Sequence, residues 1–270
     1  SVAVGDVDGD GFGDVIVGIP GETVAGIEYA GAVAVIFGKG SGLGTRDVLL
    51  TRDSPGIRKA PSALARFGID VAIGSFDNDG FDDIAVGVVR RKAAGEAHVI
   101  YGGAGGPSKR DAVYTQGADG ISGVKEAGDN FGTVLATGDA NGDGFDELAL
   151  GAPYESHSGV VAGGLVGVIP GSVSGLDTGG YETWHQAKPG IKGKVAAEDR
   201  FGAALRFVDT RGDGRLDLVI GSPRNDAGGS VSLIPGKASG LSAGGDQLWS
   251  QDTPGVGGTS EPNDRFGGAL

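Results

Sequence analysis

An all-β architecture of repeated four-stranded antiparallel sheets is what this sequence predicts, and three observations carry the prediction. Four landmarks recur in fixed order at intervals of 64 to 70 residues. Glycine supplies 56 of the 270 residues, which favours many tight turns over long helices. Between the turns lie short runs rich in Val, Ile and aromatic side chains, bounded by Gly, Pro and Asp, as strands are.

A repeat of this length decides architecture before any single element does. The first landmark is an acidic nine-residue stretch: DVDGDGFGD from Asp6 to Asp14, SFDNDGFDD from Ser75 to Asp83, DANGDGFDE from Asp139 to Glu147, and DTRGDGRLD from Asp209 to Asp217. The second is Phe-Gly at Phe67, Phe131 and Phe201, each eight residues ahead of its stretch, and again at Phe266. The third is a glycine-led tripeptide after the stretch, at Gly18, Gly87, Gly151 and Gly221; the fourth is an apolar run that opens at Gly31, Gly95, Gly164 and Gly229.

Each unit then reads as four strands. In the first unit, Ser1 to Gly5 precedes the acidic stretch and Asp14 to Gly18 follows it. The apolar run is the third strand, and a weaker segment starting near Val48, Ala112, Glu182 or Gln247 is the fourth. The runs are nearly continuous rather than alternating, which suits sheets covered on both faces. Four-stranded sheets stacked radially meet that demand, and the arrangement is a β-propeller. The units are about 1–66, 67–130, 131–200 and 201–265, with 266–270 opening another. The pattern is cut at both ends, so the chain reads as part of a longer array; a closed four-bladed ring is the alternative.

The acidic stretches have the layout of calcium loops. Calcium takes several hard oxygen ligands, and a short loop supplies them from alternate side chains plus one backbone carbonyl, with glycine at the sharp turn. The first loop offers Asp6, Asp8, Asp10 and Asp14 with the Phe12 carbonyl, a full set. The second offers Ser75, Asp77, Asp79, Asp83 and the Phe81 carbonyl, weaker at its first position. The third offers Asp139, Asn141, Asp143, Glu147 and the Phe145 carbonyl, and is expected to bind. The fourth offers Asp209, Asp213, Asp217 and the Arg215 carbonyl, but Arg211 stands at the third position. Its guanidinium is expected to pair with Asp209 or Asp213 and stand in for the ion, leaving this site empty or weak. The competing explanation is that Asp-Gly clusters are ordinary hairpin turns. Four in register favour calcium. An EF-hand or dockerin needs an acid at the twelfth position, where Val17 and Leu150 stand in the two best loops.

The order Phe-Gly, calcium loop, Gly-Ala-Pro resembles the FG-GAP repeats of integrin alpha-chain propellers and of many secreted bacterial proteins. The third unit carries the resemblance most fully, with Phe131-Gly132, Asp139 to Glu147 and Gly151-Ala152-Pro153. The resemblance implies a seven-bladed propeller, of which about four blades are present, with calcium in hairpins between the first two strands of some blades. It implies ligand binding on the face away from the calcium loops.

Composition narrows function. A net charge of -13 and a pI near 4.6 argue against nucleic acid or an anionic membrane surface as partner. Thirteen of the 35 acids stand at ligand positions of the four loops, so much of that charge has a local purpose. Cysteine is absent, which removes disulfides and thiol chemistry. No stretch is long and apolar enough to span a bilayer as a helix. The sequence shows no signal peptide, and because it also lacks Met this says nothing about location.

Catalytic patterns are missing as well. His98, His157 and His185 have no metal-site spacing, and GSVSG at Gly171 places Val173 where a nucleophile elbow needs Ser. Arg211-Gly212-Asp213 spells an adhesion tripeptide, but Asp213 belongs to a loop position, so the match is a decoy. With four antiparallel strands per unit, connections alternate between two faces. The loops opposite the acidic face are longer and more varied, as binding loops are. They include Glu22 to Ala30 with Glu28 and Tyr29, Arg90 to Lys92, Tyr154 to His157, and Arg224 to Asp226. The leading expectation is an extracellular, non-enzymatic adhesion or recognition module for a protein or glycan, with calcium structural. The alternative is a scaffold or accessory domain of a secreted calcium-dependent polysaccharide lyase or hydrolase, with Arg91, Tyr154 and His157 as candidates for a groove.

Overall fold

The computed structural model describes residues 1–89, 93–157, 159–225 and 228–270. It is all-β, with four four-stranded antiparallel sheets in chain order. The first holds β1 (Val2–Gly5), β2 (Asp14–Ile19), β3 (Ala32–Lys39) and β4 (Gly42–Leu50); the second holds β5 (Val71–Gly74), β6 (Asp83–Val88), β7 (Glu96–Ile100) and β8 (Asp111–Tyr114). The third holds β9 (Val134–Gly138), β10 (Glu147–Ala152), β11 (Leu165–Ile169) and β12 (Glu182–Trp184). The fourth holds β13 (Ala204–Val208), β14 (Asp217–Ser222), β15 (Ser230–Ile234) and β18 (Gln247–Trp249), with a small hairpin of β16 (Gly236–Lys237) and β17 (Gly240–Leu241) beside it. Strands pair in sequence order within each sheet, so each sheet is a meander of blade type.

The sheets stack through their first strands: β1 lies against β5, β5 against β9, and β9 against β13. Three apolar cores fill the gaps. Ile16, Val33 and Val35 of the first blade meet Ile84, Val86 and Ile100 of the second. Ala85, Val99 and Tyr101 of the second meet Leu148, Leu150 and Ile169 of the third, and Val166 and Trp184 of the third meet Leu218, Ile220 and Ile234 of the fourth. This explains the continuous apolar runs. Successive side chains of a strand point to opposite faces, and in a middle blade both faces are covered. All six positions of β6 and of β10 are buried, whereas Val2 and Val4 of β1 are 63% and 62% exposed.

The Phe-Gly landmarks are staples between blades. Phe67, Phe131 and Phe201 are fully buried, each in the core shared with the preceding blade. Phe67 and Phe201 form parallel bridges to Gly31 and Gly164 of that preceding blade. The glycine that follows bonds to its own blade, as Gly132 N–H does to the Gly151 carbonyl at 3.0 Å. Gly151 in turn lies so close to the next staple that a Cβ there would overlap the Gly202 carbonyl oxygen. The glycine of each Phe-Gly and the glycine after each acidic loop are therefore two halves of one close approach.

Candidate metal centre

The acidic loops join the first and second strands of every blade, at one end of the stack. Their fourth- and sixth-position backbone is left-handed in each. Gly11, Gly80, Gly144 and Gly214 at the sixth position have φ between 80° and 96°, the left-handed region that glycine enters without a Cβ clash. Where the first residue is Asp, its carboxylate clasps the turn from inside. Asp6 accepts N–H bonds from Gly9 at 2.8 Å, Asp10 at 3.1 Å and Gly11 at 2.8 Å, and Asp139 and Asp209 accept the three equivalent amides of their own loops. Ser75 supplies no carboxylate for that clasp.

The ninth residue ties the loop to the blade. Asp14 accepts from Val7 N–H at 3.0 Å and Gly38 N–H at 2.8 Å, the latter at the far end of β3. Asp83 does the same with Phe76 and Gly102, both at 3.0 Å, and Asp217 with Thr210 and Gly236. Glu147 accepts from Ala140 N–H at 2.6 Å. All four are buried. Fifth-position acids are used locally: Asp10, Asp79, Asp143 and Asp213 each accept the amide two residues on, from Phe12, Phe81, Phe145 and Arg215.

The third position separates the loops. Asp8 and Asp77 each receive a guanidinium from the fourth-strand side of their own blade. Arg46 lies 3.6 Å over the Phe37 ring and reaches Asp8 Oδ2 at 2.7 Å; Arg110 lies 3.5 Å over Tyr101 and reaches Asp77 Oδ2 at 2.5 Å. Each also donates to a carbonyl of the next blade, Gly105 and Ser174 respectively. The other oxygens, Asp8 Oδ1 and Asp77 Oδ1, are buried without a hydrogen-bond partner. In the third loop, the Asn141 amide donates to Glu147 Oε1 at 3.0 Å. In the fourth, Arg211 lies within the loop: Nη2 meets Asp217 Oδ1 at 2.8 Å, Nη1 meets Asp213 Oδ2 at 3.1 Å, and Nη2 also donates to the Gly236 carbonyl. Arg211 thus pairs with Asp213 as the sequence suggests, and with Asp217 in place of Asp209, because the Asp209 carboxylate is already engaged by backbone amides.

The buried ninth-position acids differ in how readily they ionise. Burial, reinforced by Asp77 and Asp79, pushes Asp83 up to about 7 against the Gly102 hydrogen bond. Burial, with Asp139 and Asp143 adding to it, pushes Glu147 up to about 8. Asp14 is raised by burial and by Asp8 and Asp6. Asp217 goes the other way: burial opposes ionisation, but the Thr210, Gly236 and Arg211 hydrogen bonds outweigh it and hold the carboxyl low.

Among the described residues, one group of three acids brings its oxygens within 4.8 Å of one another: Asp6, Asp8 and Asp14. All three are hard carboxylate donors, and the orphaned Asp8 Oδ1 is the kind of atom that a cation would satisfy, so the residues present fit calcium. Asp10 and the Phe12 carbonyl lie outside that group. The acids of the other three loops do not converge to the same extent.

Two features escaped sequence reasoning. The eighth loop position laces adjacent blades: Asp82 and Asp146 accept N–H bonds from Asp6 at 2.8 Å and Ser75 at 2.9 Å, and the amides of Asp82, Asp146 and Leu216 donate to the carbonyls of Asp6, Ser75 and Asp139. On the opposite face, His157 and His185 stack with ring centroids 3.7 Å apart, although 28 residues separate them. Burial and the neighbouring His157 depress His185 to about 4. Tyr29 and Tyr154 are exposed on that face, the latter under the Arg200 guanidinium at 4.7 Å. Arg90 to Lys92 and Asp226 lie outside the described residues.

Comparison with known proteins places these repeats. The FG-GAP repeat model matches residues 1–36 and 131–169. Phosphatidylinositol-glycan-specific phospholipase D from Bos taurus is 31% identical over 172 residues, 62% of this chain and 20% of that protein. Integrin alpha pat-2 from Caenorhabditis briggsae is 30% identical over 183 residues, 64% of this chain and 14% of that protein. The chain therefore spans about a fifth or less of these relatives. A solved exotype rhamnogalacturonan lyase superposes on 92% of this chain and 46% of its own at 15% identity, with a TM-score of 0.47. The chain thus carries FG-GAP repeats, matched at residues 1–36 and 131–169.

Proposed function

We propose that the chain is a calcium-stabilised recognition module that engages a protein or glycan through the face opposite its acidic loops, in a secreted or cell-surface setting. The observation that supports it is the convergence of Asp6, Asp8 and Asp14 on one point with Asp8 Oδ1 unpaired, in a loop whose fourth counterpart holds a guanidinium among its acids. A calcium ion held by Asp6, Asp8 and Asp14 would neutralise the turn and fix the end of β1 to that of β3 through Asp14. Its role is structural, which leaves recognition to the other face. There the connections from second to third and from fourth to first strands pack on one another, as Leu64 N–H bonding to Glu28 O and Glu198 N–H bonding to Val161 O show. Among the described residues no helix is long and apolar enough to cross a membrane, and the acidic chain offers nucleic acid little attraction.

The relatives named as phospholipases favour a second reading: a scaffold or accessory unit of a secreted hydrolase or lyase. Calcium calorimetry with melting curves in calcium and in chelator, followed by glycan and protein array capture, tests the first reading. Calcium binding with a raised melting temperature, and capture lost in Tyr29→Ala or Tyr154→Ala, is the expected result. Absence of calcium binding, or capture indifferent to that face, contradicts it. Turnover of an arrayed glycan would favour the second.

A further inference from the structure

We propose that a cavity on the face opposite the acidic loops, between Lys59, Glu96 and Lys125, binds an acidic saccharide residue through its carboxylate; this rests on that face being the recognition face. The cavity holds about 230 Å³. Its walls come from Arg52 and Lys59 between β4 and β5, Val88 at the end of β6, Ala93 to Gly95 between β6 and β7, Glu96 at the start of β7, and Lys125 between β8 and β9.

Its charge is opposite to that of the chain. Among the described residues, three cations face one carboxylate, Glu96, in a protein of net charge -13. Glu96 is held by Arg52 Nη2 at 3.1 Å and by Lys59, with His98 Nε2 behind it at 3.7 Å. His98 is wholly buried and anchored by Asp111, 3.0 Å from Nδ1. The carboxylate wall is thus fixed and ionised, and the exposed Lys125 also lines the cavity. Three cations against one carboxylate give the described lining a net charge of +2, and an anion entering a partly desolvated pocket gains more from it than in water.

Size and shape select among anions. The volume is larger than a bare carboxylate or the end of an acidic side chain fills, and suits one sugar ring with its substituents. Val88 and Ala94 are nearly fully buried and present an apolar wall for ring carbons. Each Glu96 oxygen keeps a lone pair that can accept from a hydroxyl. A few converging polar groups on an apolar wall is the usual make-up of a small-ligand site.

The test titrates the full chain in calcium with glucuronate, glucose and glutamate, by calorimetry and by amide chemical shifts, alongside Lys125→Ala and Lys59→Ala. Glucuronate should bind and shift amides around Ala93 to Glu96, glucose and glutamate should not compete, and Lys125→Ala should weaken binding about tenfold while leaving the melting temperature unchanged. Raised salt should weaken it further. No glucuronate binding, equal binding by Lys125→Ala, or equal competition by glutamate overturns the assignment. Array capture separates the two readings. Capture that persists in Lys125→Ala without glucuronate binding removes the cavity and leaves the recognition face; glucuronate binding with no role for Tyr29 or Tyr154 in capture supports the cavity alone.

Discussion

The fourth acidic loop and the second and third have the same backbone path and a buried acid at the same ninth position, yet their acids respond oppositely. Asp83 and Glu147 are pushed up to about 7 and about 8, with burial the main cause. Asp217, also buried, is held low because hydrogen bonds from Thr210, Gly236 and Arg211, in that order, together with the Arg211 charge, outweigh its burial. The difference shows what a hydroxyl and a guanidinium donated directly to a buried acid do for it, and among the described residues the ninth-position acids of the second and third loops have neither. Under the proposed calcium role, a bound ion would do the same for Asp83 and Glu147.

The largest effect is expected from Arg211→Ala, which leaves Asp217 buried and unpaired. Breaking such a pair is strongly destabilising, so thermal melts in chelator should show a drop of several degrees. A melt unchanged from wild type would break the comparison at its root.

A steric counterpart comes next. Gly5, Gly74 and Gly138 end the first strands of three blades and face the next blade, where a Cβ on Gly138 would stand 2.6 Å from Leu216 Cδ1 and 2.7 Å from Phe207 Cβ. Val208 holds that position in the fourth blade and is 37% exposed. Gly138→Val should cost about 1–3 kcal/mol by overpacking, measured by denaturant unfolding, and Val208→Gly far less. Similar costs at both sites would mean that the blade gap is not what requires glycine.

The pH dependence is smaller and has a definite sign. In chelator, native Asp83 and Glu147 keep protons that the unfolded chain has released, Asp83 between pH 3.8 and about 7 and Glu147 between 4.5 and about 8. The folded state then binds more protons than the unfolded one, so stability falls as pH rises through those windows. Calcium should flatten that slope. His185 works in the opposite direction, since its depressed value costs stability as pH falls from 6.5 toward about 4. A chelator profile that rises between pH 5 and 8 would contradict the burial argument.

The smallest effect is expected from Arg46→Ala. The side chain is half-exposed and its pair with Asp8 is worth little on its own, so the melting temperature should move by a degree or two. Calcium affinity should rise or stay constant if Arg46 merely holds Asp8 in the absence of the ion, and calorimetry would show it.

Much of this was legible in the sequence because it is periodic. Phe67, Phe131 and Phe201 recur in step with the glycines they approach, and that spacing alone gives blade order and the two faces of the stack. The pairing of Arg211 with an acid of its own loop was legible too, since a guanidinium among carboxylates finds a partner there. What stayed hidden depends on contacts between repeats. Asp82 and Asp146 read as surplus acids until the neighbouring blade's amides are placed beside them. Arg46 and Arg110 lie far from Asp8 and Asp77 in sequence, and the only signal was that both occur in blades with an aromatic residue, Phe37 or Tyr101, where the others have Pro170 and Pro235. The pairing of Arg211 with Asp217 rather than Asp209 depended on which carboxylate the backbone had already claimed.

Calcium stoichiometry of Arg211→Asp against wild type tests the central claim most directly. The substitution replaces the built-in cation by a third-position acid, and titration calorimetry should find one more calcium bound than in wild type, with stability lost in chelator and restored in calcium. The same stoichiometry in both proteins, or no calcium bound by either, would contradict the account of these loops as cation sites.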